Sequence, residues 1–203
     1  MGLEKILVVN SSSDESLTEF TDKIGEDLVT AGFEPLVVHY RGIPGVKLSD
    51  YSGVVLSPAA MGSPDDKAKV VCDRWQDRVD HAQDLLYCNS PLLGICAGHQ
   101  MLGLLYGSEY IRNKEVEKGN NCQVDILTPE DVLFDGINRD TLSVKQQHSN
   151  SITLPDDFVL LATSDNCRVQ IMRHSSRPLY GTQFHAEECP ELFNNFLEIV
   201  NNY

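Results

Sequence analysis

Cys96 stands in the stretch Gly94-Ile95-Cys96-Ala97-Gly98-His99-Gln100. An apolar run, Pro91-Leu92-Leu93-Gly94-Ile95, leads into it, and a helix-like run, Gln100-Met101-Leu102-Gly103-Leu104-Leu105, follows. A cysteine flanked by small residues at a strand-to-helix turn has the form of a nucleophile elbow. Glycines are needed because neighbouring side chains would clash in so tight a turn. The sulfur is thereby presented at a helix N-terminus, where unpaired N–H groups and the helix dipole favour a thiolate. A second constellation lies near the end of the chain, in Tyr180-Gly181-Thr182-Gln183-Phe184-His185-Ala186-Glu187. If this segment stays extended, its period of two puts His185 and Glu187 on one side. An imidazole held by a carboxylate suits a general base, so Cys96, His185 and Glu187 form a candidate Cys–His–Glu triad.

The elements that must position these groups alternate in the first half. Residues 5–10 form a short apolar strand of the buried parallel type. Helical spacing through Leu17, Phe20, Ile24, Leu28 and Ala31 predicts a helix over 17–31, with Gly32 at its stop. Strands are expected over 34–40, 53–57 and 91–95, with a long polar-faced helical region over 65–88. This order predicts an α/β fold with a mostly parallel central sheet and helices on both faces, and with Cys96 at the carboxyl end of a strand. In the second half, residues 110–112, 121–127, 142–146, 158–163, 168–173 and 179–184 read as short strands, some of them forming a small antiparallel extension. A closing helix is expected over 190–203, with Pro190 in its first turn. No repeat or linker divides the chain, so residues 1–203 are expected to form one domain.

Lys and Arg total 16 against 30 Asp and Glu, a net charge of −14, which argues against contact with nucleic acid or anionic membrane. No apolar run approaches the roughly 20 residues of a membrane helix. Six cysteines without C-x-x-C spacing, and a chain that runs directly into a strand, predict free thiols in a reduced, cytoplasmic protein without a structural metal.

The cysteine stretch resembles the G-x-C-x-G-x-Q elbow of class I, triad-type glutamine amidotransferases, and residues 181–187 resemble their G-x-Q-F-H-P-E segment. The resemblance spans nearly the whole chain, and it implies a flavodoxin-like amidotransferase fold and an enzyme that removes the side-chain amide of glutamine as ammonia. Cys96 would be the nucleophile, His185 the base and Glu187 its orienting partner. Ala97 would give an oxyanion-hole N–H, as would Ala59 in the loop Ser57-Pro58-Ala59-Ala60-Met61-Gly62-Ser63-Pro64. Relatives carry S-G-G-P-G or S-N-G-P-G there; here alanines replace glycines and Met61 looks like an insertion. The loop is either distorted until substrate or a partner arrives, or it has another conformation with a working hole. Gln100 matches the glutamine that contacts the α-amino acid end of the substrate, and Gln147, Ser149 and Asn150 match a segment that also contacts it. His148, within that segment, reads as structural or as part of the pocket rim, and His99 should point away from Cys96. Ala186 replaces the usual proline.

Asp135-Gly136-Ile137, Leu160-Leu161-Ala162-Thr163-Ser164 and residues 167–173 resemble the glutaminase part of GMP synthetases, while residues 147–150 depart from the S-H-G-D usual there. No G-x-x-x-x-G-K-[ST] loop and no G-x-G-x-x-G after the first strand is present, so no cofactor is expected and ATP would be used elsewhere. The expected partners are L-glutamine and an ATP-dependent synthetase subunit on another chain. Two other functions fit the same residues: a γ-glutamyl hydrolase or peptidase acting alone, and a regulatory subunit with weak chemistry.

Overall fold

The structure, a computed structural model, describes residues 2–59 and 68–203. Among the described residues nine strands form one sheet: β1 Lys5–Asn10, β2 Glu34–His39, β3 Gly53–Leu56, β4 Leu92–Ile95, β5 Tyr110–Ile126, β6 Thr141–Ile152, β7 Phe158–Thr163, β8 Ile171–His174 and β9 Leu179–Thr182. The helices are α1 Glu19–Thr30, α2 Ala68–His81, α3 Ala97–Leu105 and α4 Pro190–Asn201. The strand order is β2-β1-β3-β4-β9-β8-β7-β5-β6. The first five are parallel neighbours, in the doubly wound order of flavodoxin-like sheets, with β9 in the fifth place.

Alternation along β1 shows why its sequence is apolar throughout. Ile6 and Val8 enter one core with Ile24 and Leu28 of α1 and Phe196 and Val200 of α4. Leu7 and Val9 enter the opposite core with Trp75 of α2 and Met101 and Leu102 of α3. A strand covered on both faces has no solvent side on which to place polar residues. Each large apolar side chain so buried contributes about 1.5–3 kcal/mol. Gly32, with φ of +90°, ends α1 in the left-handed conformation that a side chain disfavours.

The second half differs from the expectation of a small antiparallel extension. From β9 outward, β8, β7, β5 and β6 all pair antiparallel, so the sheet is mixed in nearly equal parts. The expected strands at 110–112 and 121–127 are ends of one 17-residue strand, β5, and β6 runs 12 residues through the segment 147–150. From Leu142 to His148 only alternate residues of β6 are buried, which leaves polar residues on the other face. Together with two register irregularities in the β5–β6 pair, this hides the length of the hairpin from a search for apolar runs.

The expected strand over 179–184 also stops early, at Thr182. Beyond it the chain leaves its ladder: the Gln183 N–H bonds to Gln170 O, and the His185 N–H reaches Lys145 O on β6 at 3.0 Å. The helical region after β3 is α2 followed by a 3-10 turn, Gln83–Tyr87.

Candidate active site

Cys96 joins β4 to α3 with φ of +50° and ψ of −101°. It is the one non-glycine residue with positive φ among the described residues. Such strain at an L-residue is held only where surroundings over-determine it. Here the Cys96 N–H donates to Thr182 O at 2.7 Å, and its own carbonyl accepts from Gln100 N at 3.1 Å. The glycines set the closeness of approach. A Cβ on Gly94 would lie 2.7 Å from Gly98 O, and one on Gly98 would lie 2.2 Å from Leu56 O. The small residues are therefore demanded by backbone packed on backbone. The Ala97 N–H opens α3, among the first-turn donors that a helix cannot pair internally.

His185 and Glu187 meet, but through a different backbone from the one expected. The residues around them form a 3-10 turn, Ala186–Glu188, capped by His185. The Glu188 N–H returns to His185 O at 3.1 Å, and the turn swings the carboxylate of Glu187 under the ring. His185 Nδ1 lies 2.6 Å from Glu187 Oε1, with both side chains nearly closed to solvent. The Cys96 side chain also acts on the ring, and with Nδ1 taken by Glu187 the nitrogen left for it is Nε2. Burial alone would lower the basicity of this imidazole. The hydrogen bonds to Cys96 and Glu187 outweigh it and lift the pKa to about 10. Phe20 of α1 packs against the ring, 5.5 Å between centroids. Cys96 is buried, with 8% of its surface exposed.

Gln100 is buried, and its amide nitrogen is fully engaged: it donates to Asn150 O at 2.9 Å and to Gln183 Oε1 at 2.8 Å. Its carbonyl oxygen is the group it can still offer. Asn150 thus approaches the elbow through its main chain, while its side chain donates to Ser149 Oγ. Gln147 and Ser149 are exposed, alternating with buried Gln146 and His148 along β6. Ala59 is buried just past β3, three residues beyond Leu56, the contact of Gly98. Ser57 Oγ accepts from Ser11 N at 3.1 Å and donates to Pro58 O at 2.7 Å, which pins the start of that loop. Ala60, Met61, Gly62, Ser63 and Pro64 lie outside the described residues.

His99 is turned away from Cys96, under the sheet against Gly181, where a Cβ would come within 2.5 Å of its Nδ1. Neither ring nitrogen has a well-formed hydrogen bond, and burial drives its pKa down to about 3. His148, read as structural, does have a carboxylate partner, supplied across the ladder. Glu117 of β5 is its register partner, with Oε2 2.9 Å from His148 Nε2.

Cys167 completes a cluster with these two, all ligand atoms lying within 4.8 Å, close enough to hold a metal ion. The cluster is closed, however, by its own hydrogen bonds. Glu117 accepts from Ser164 Oγ and Gln170 Nε2, and Cys167 Sγ is directed to Val169 O. Burial, with Glu117 nearby, pushes the Cys167 thiol up to about 12, so it is a protonated packing group and no rival nucleophile.

The geometry can be set beside known proteins. The family model described as "Glutamine amidotransferase class-I" matches residues 15–198. The chain belongs to the class-I glutamine amidotransferases. Among its relatives is a glutamine-hydrolyzing GMP synthase subunit of Methanosarcina mazei, 32% identical over 207 residues, covering 98% of each chain. The subunit of the same name from Methanosphaera stadtmanae is 37% identical over 134 residues, covering 63% of this chain and 70% of the relative. A crystal structure from Thermoplasma acidophilum, assigned provisionally as a GMP synthase subunit, has a TM-score of 0.80 at 28% identity, covering all of this chain and 96% of that one.

Within this amidotransferase, one departure from the familiar motifs has a local account. Ala186, in place of proline, is fully buried, and the 3-10 turn closes with it. Gln183 lies inside the motif that identified His185, yet its sequence context assigns it no role. Its amide is fully buried beside Cys96. The signal available in the sequence is only its place two residues before the histidine.

Proposed function

We propose that this amidotransferase is a single glutaminase domain that cleaves the glutamine side-chain amide through a Cys96–His185–Glu187 triad and passes ammonia to a separate ATP-dependent synthetase subunit, one that forms GMP. The observation that carries the reading is the strained Cys96 elbow together with an imidazole that Cys96 influences and that a buried carboxylate holds at 2.6 Å. The thiolate attacks the amide carbon, and the carbonyl oxygen takes up negative charge. The Ala97 N–H and a donor from the Ala59 loop face that oxygen. His185 gives its proton to the departing ammonia, leaving a γ-glutamyl thioester on Cys96. It then takes a proton from water, which releases glutamate and restores the thiolate. Glu187 holds the imidazole in one tautomer and balances its charge. The α-amino acid end of the substrate lies toward the exposed side of Gln147, Ser149 and Asn150, with Gln100 locking that segment to the elbow helix.

The acceptor assignment is supported by a relative that is named as a glutamine-hydrolyzing GMP synthase subunit and matches along nearly the full length of the chain. The test is glutamate release from L-glutamine by the purified chain, alone and with a cognate synthetase subunit, using Cys96→Ala as control. Equal rates in parent and control would remove Cys96 from the chemistry. Turnover of γ-glutamyl peptides in preference to free glutamine would instead indicate a hydrolase that acts without a partner.

A further inference from the structure

Gln183 Nε2 lies 3.8 Å from Cys96 Sγ, within hydrogen-bonding reach of sulfur. Which end of this amide faces the sulfur is fixed by atoms further away. The main-chain carbonyl of Asn150 is an acceptor by its chemistry, and it receives Gln100 Nε2 at 2.9 Å and His148 Nδ1 at 3.1 Å. The Gln100 atom there is therefore its nitrogen. The second N–H on that nitrogen points to Gln183 at 2.8 Å, so the Gln183 atom receiving it is the carbonyl oxygen. Only the NH₂ end of Gln183 remains for Cys96. The orientation is thus derived from a backbone atom whose identity is beyond question, and not from the amide itself.

We propose that Gln183 is a further catalytic residue of this enzyme, one that donates a hydrogen bond from its side-chain amide to the sulfur of Cys96. The proposal rests on reading Cys96 as the nucleophile. A neutral donor stabilises the thiolate without adding a second positive charge beside His185. It acts again when the thioester is hydrolysed: the carbon–sulfur bond breaks, its electron pair returns to sulfur, and the amide N–H is already in place to receive the charge. Because Gln183 is buried and held by Gln100, the donor is fixed before substrate arrives.

The test is the rate of Cys96 alkylation by iodoacetamide, followed by mass spectrometry across pH, in the full-length parent, Gln183→Met and Gln183→Glu. Circular dichroism checks folding. Methionine keeps the volume and removes the donor; glutamate puts a carboxylate against the sulfur. The alkylation midpoint is expected to rise by about one pH unit in Gln183→Met and further in Gln183→Glu, as loss of one hydrogen bond to a charged group implies. The glutamine kcat should fall while KM stays near the parent value. Should the glutamate variant fail to fold, the methionine variant decides. A Gln183→Met profile superimposable on the parent would overturn the proposal and leave Cys96 as nucleophile. A parent in which Cys96 does not react at any pH would overturn both.

Discussion

His185 and Glu187, two residues apart, bring ring and carboxylate to 2.6 Å across a 3-10 turn whose first residue, Ala186, is fully buried. In the proposed mechanism Glu187 is the charged neighbour of His185 at hydrogen-bond distance, so Glu187→Gln should lower kcat by roughly 10² or more with little change in KM. The measurement is steady-state glutaminase kinetics. A variant with parental kcat would show that the carboxylate does not orient the base.

The strain at Cys96 makes an unusual prediction about stability. In a helix interior, alanine is the better residue and glycine costs up to about 1 kcal/mol. At φ of +50° the preference should invert. Cys96→Gly is expected to be about 1 kcal/mol more stable than Cys96→Ala in urea denaturation, with both inactive. Equal stabilities would mean that the elbow relaxes once the sulfur is gone.

The elbow glycines should tolerate nothing larger. Gly98→Ala places a methyl group 2.2 Å from the carbonyl oxygen of Leu56, a backbone atom that cannot swing aside. A loss of about 3 kcal/mol or failure to fold is expected. Gly45→Ala, with open space around its Cβ, is the control and should lie within about 0.5 kcal/mol of the parent. Thermal denaturation of the two variants side by side is sufficient.

Two buried histidines should leave opposite marks on stability against pH. His185 is raised from 6.5 to about 10, so the folded chain keeps a proton that the unfolded chain releases. Its contribution is complete below pH 6.5, declines across the interval, and is gone above about pH 10. His99 is lowered from 6.5 to about 3, so the unfolded chain binds the extra proton. Its effect appears on the acid side, as stability lost from pH 6.5 down toward 3. Denaturant midpoints of His185→Gln and His99→Gln against pH should each lose one limb. If His99→Gln keeps the full acid limb, His99 is not its source.

Much of the site was legible because its signals are local. The Gly94, Cys96 and Gly98 spacing reports a single turn, and the glycines have the steric reason that spacing implies. β1, β3 and β4 were legible as apolar runs because they are buried on both faces. What escaped depends on pairing between distant segments. The carboxylate beside His148 comes from Glu117 through the β5–β6 register, and irregularities in that register break any rule based on counting. The His185 turn escaped because the 183–185 segment draws its partners from Gln170, just before β8, and from Lys145 of β6, which its own residues do not encode. Gln183 stood in plain view inside a recognised motif, yet its orientation follows only from Gln100 and Asn150.

The outermost strand, β6, touches both halves of the proposed site: Lys145 O receives the main-chain N–H of His185, and Asn150 O receives the side chain of Gln100 from the helix that Cys96 begins. Among the described residues, its outer edge has no neighbouring strand in the sheet. A molecule gripping that margin would therefore hold a lever with imidazole and thiol on the same arm, and a slide of the strand by a fraction of a residue would detune the two together.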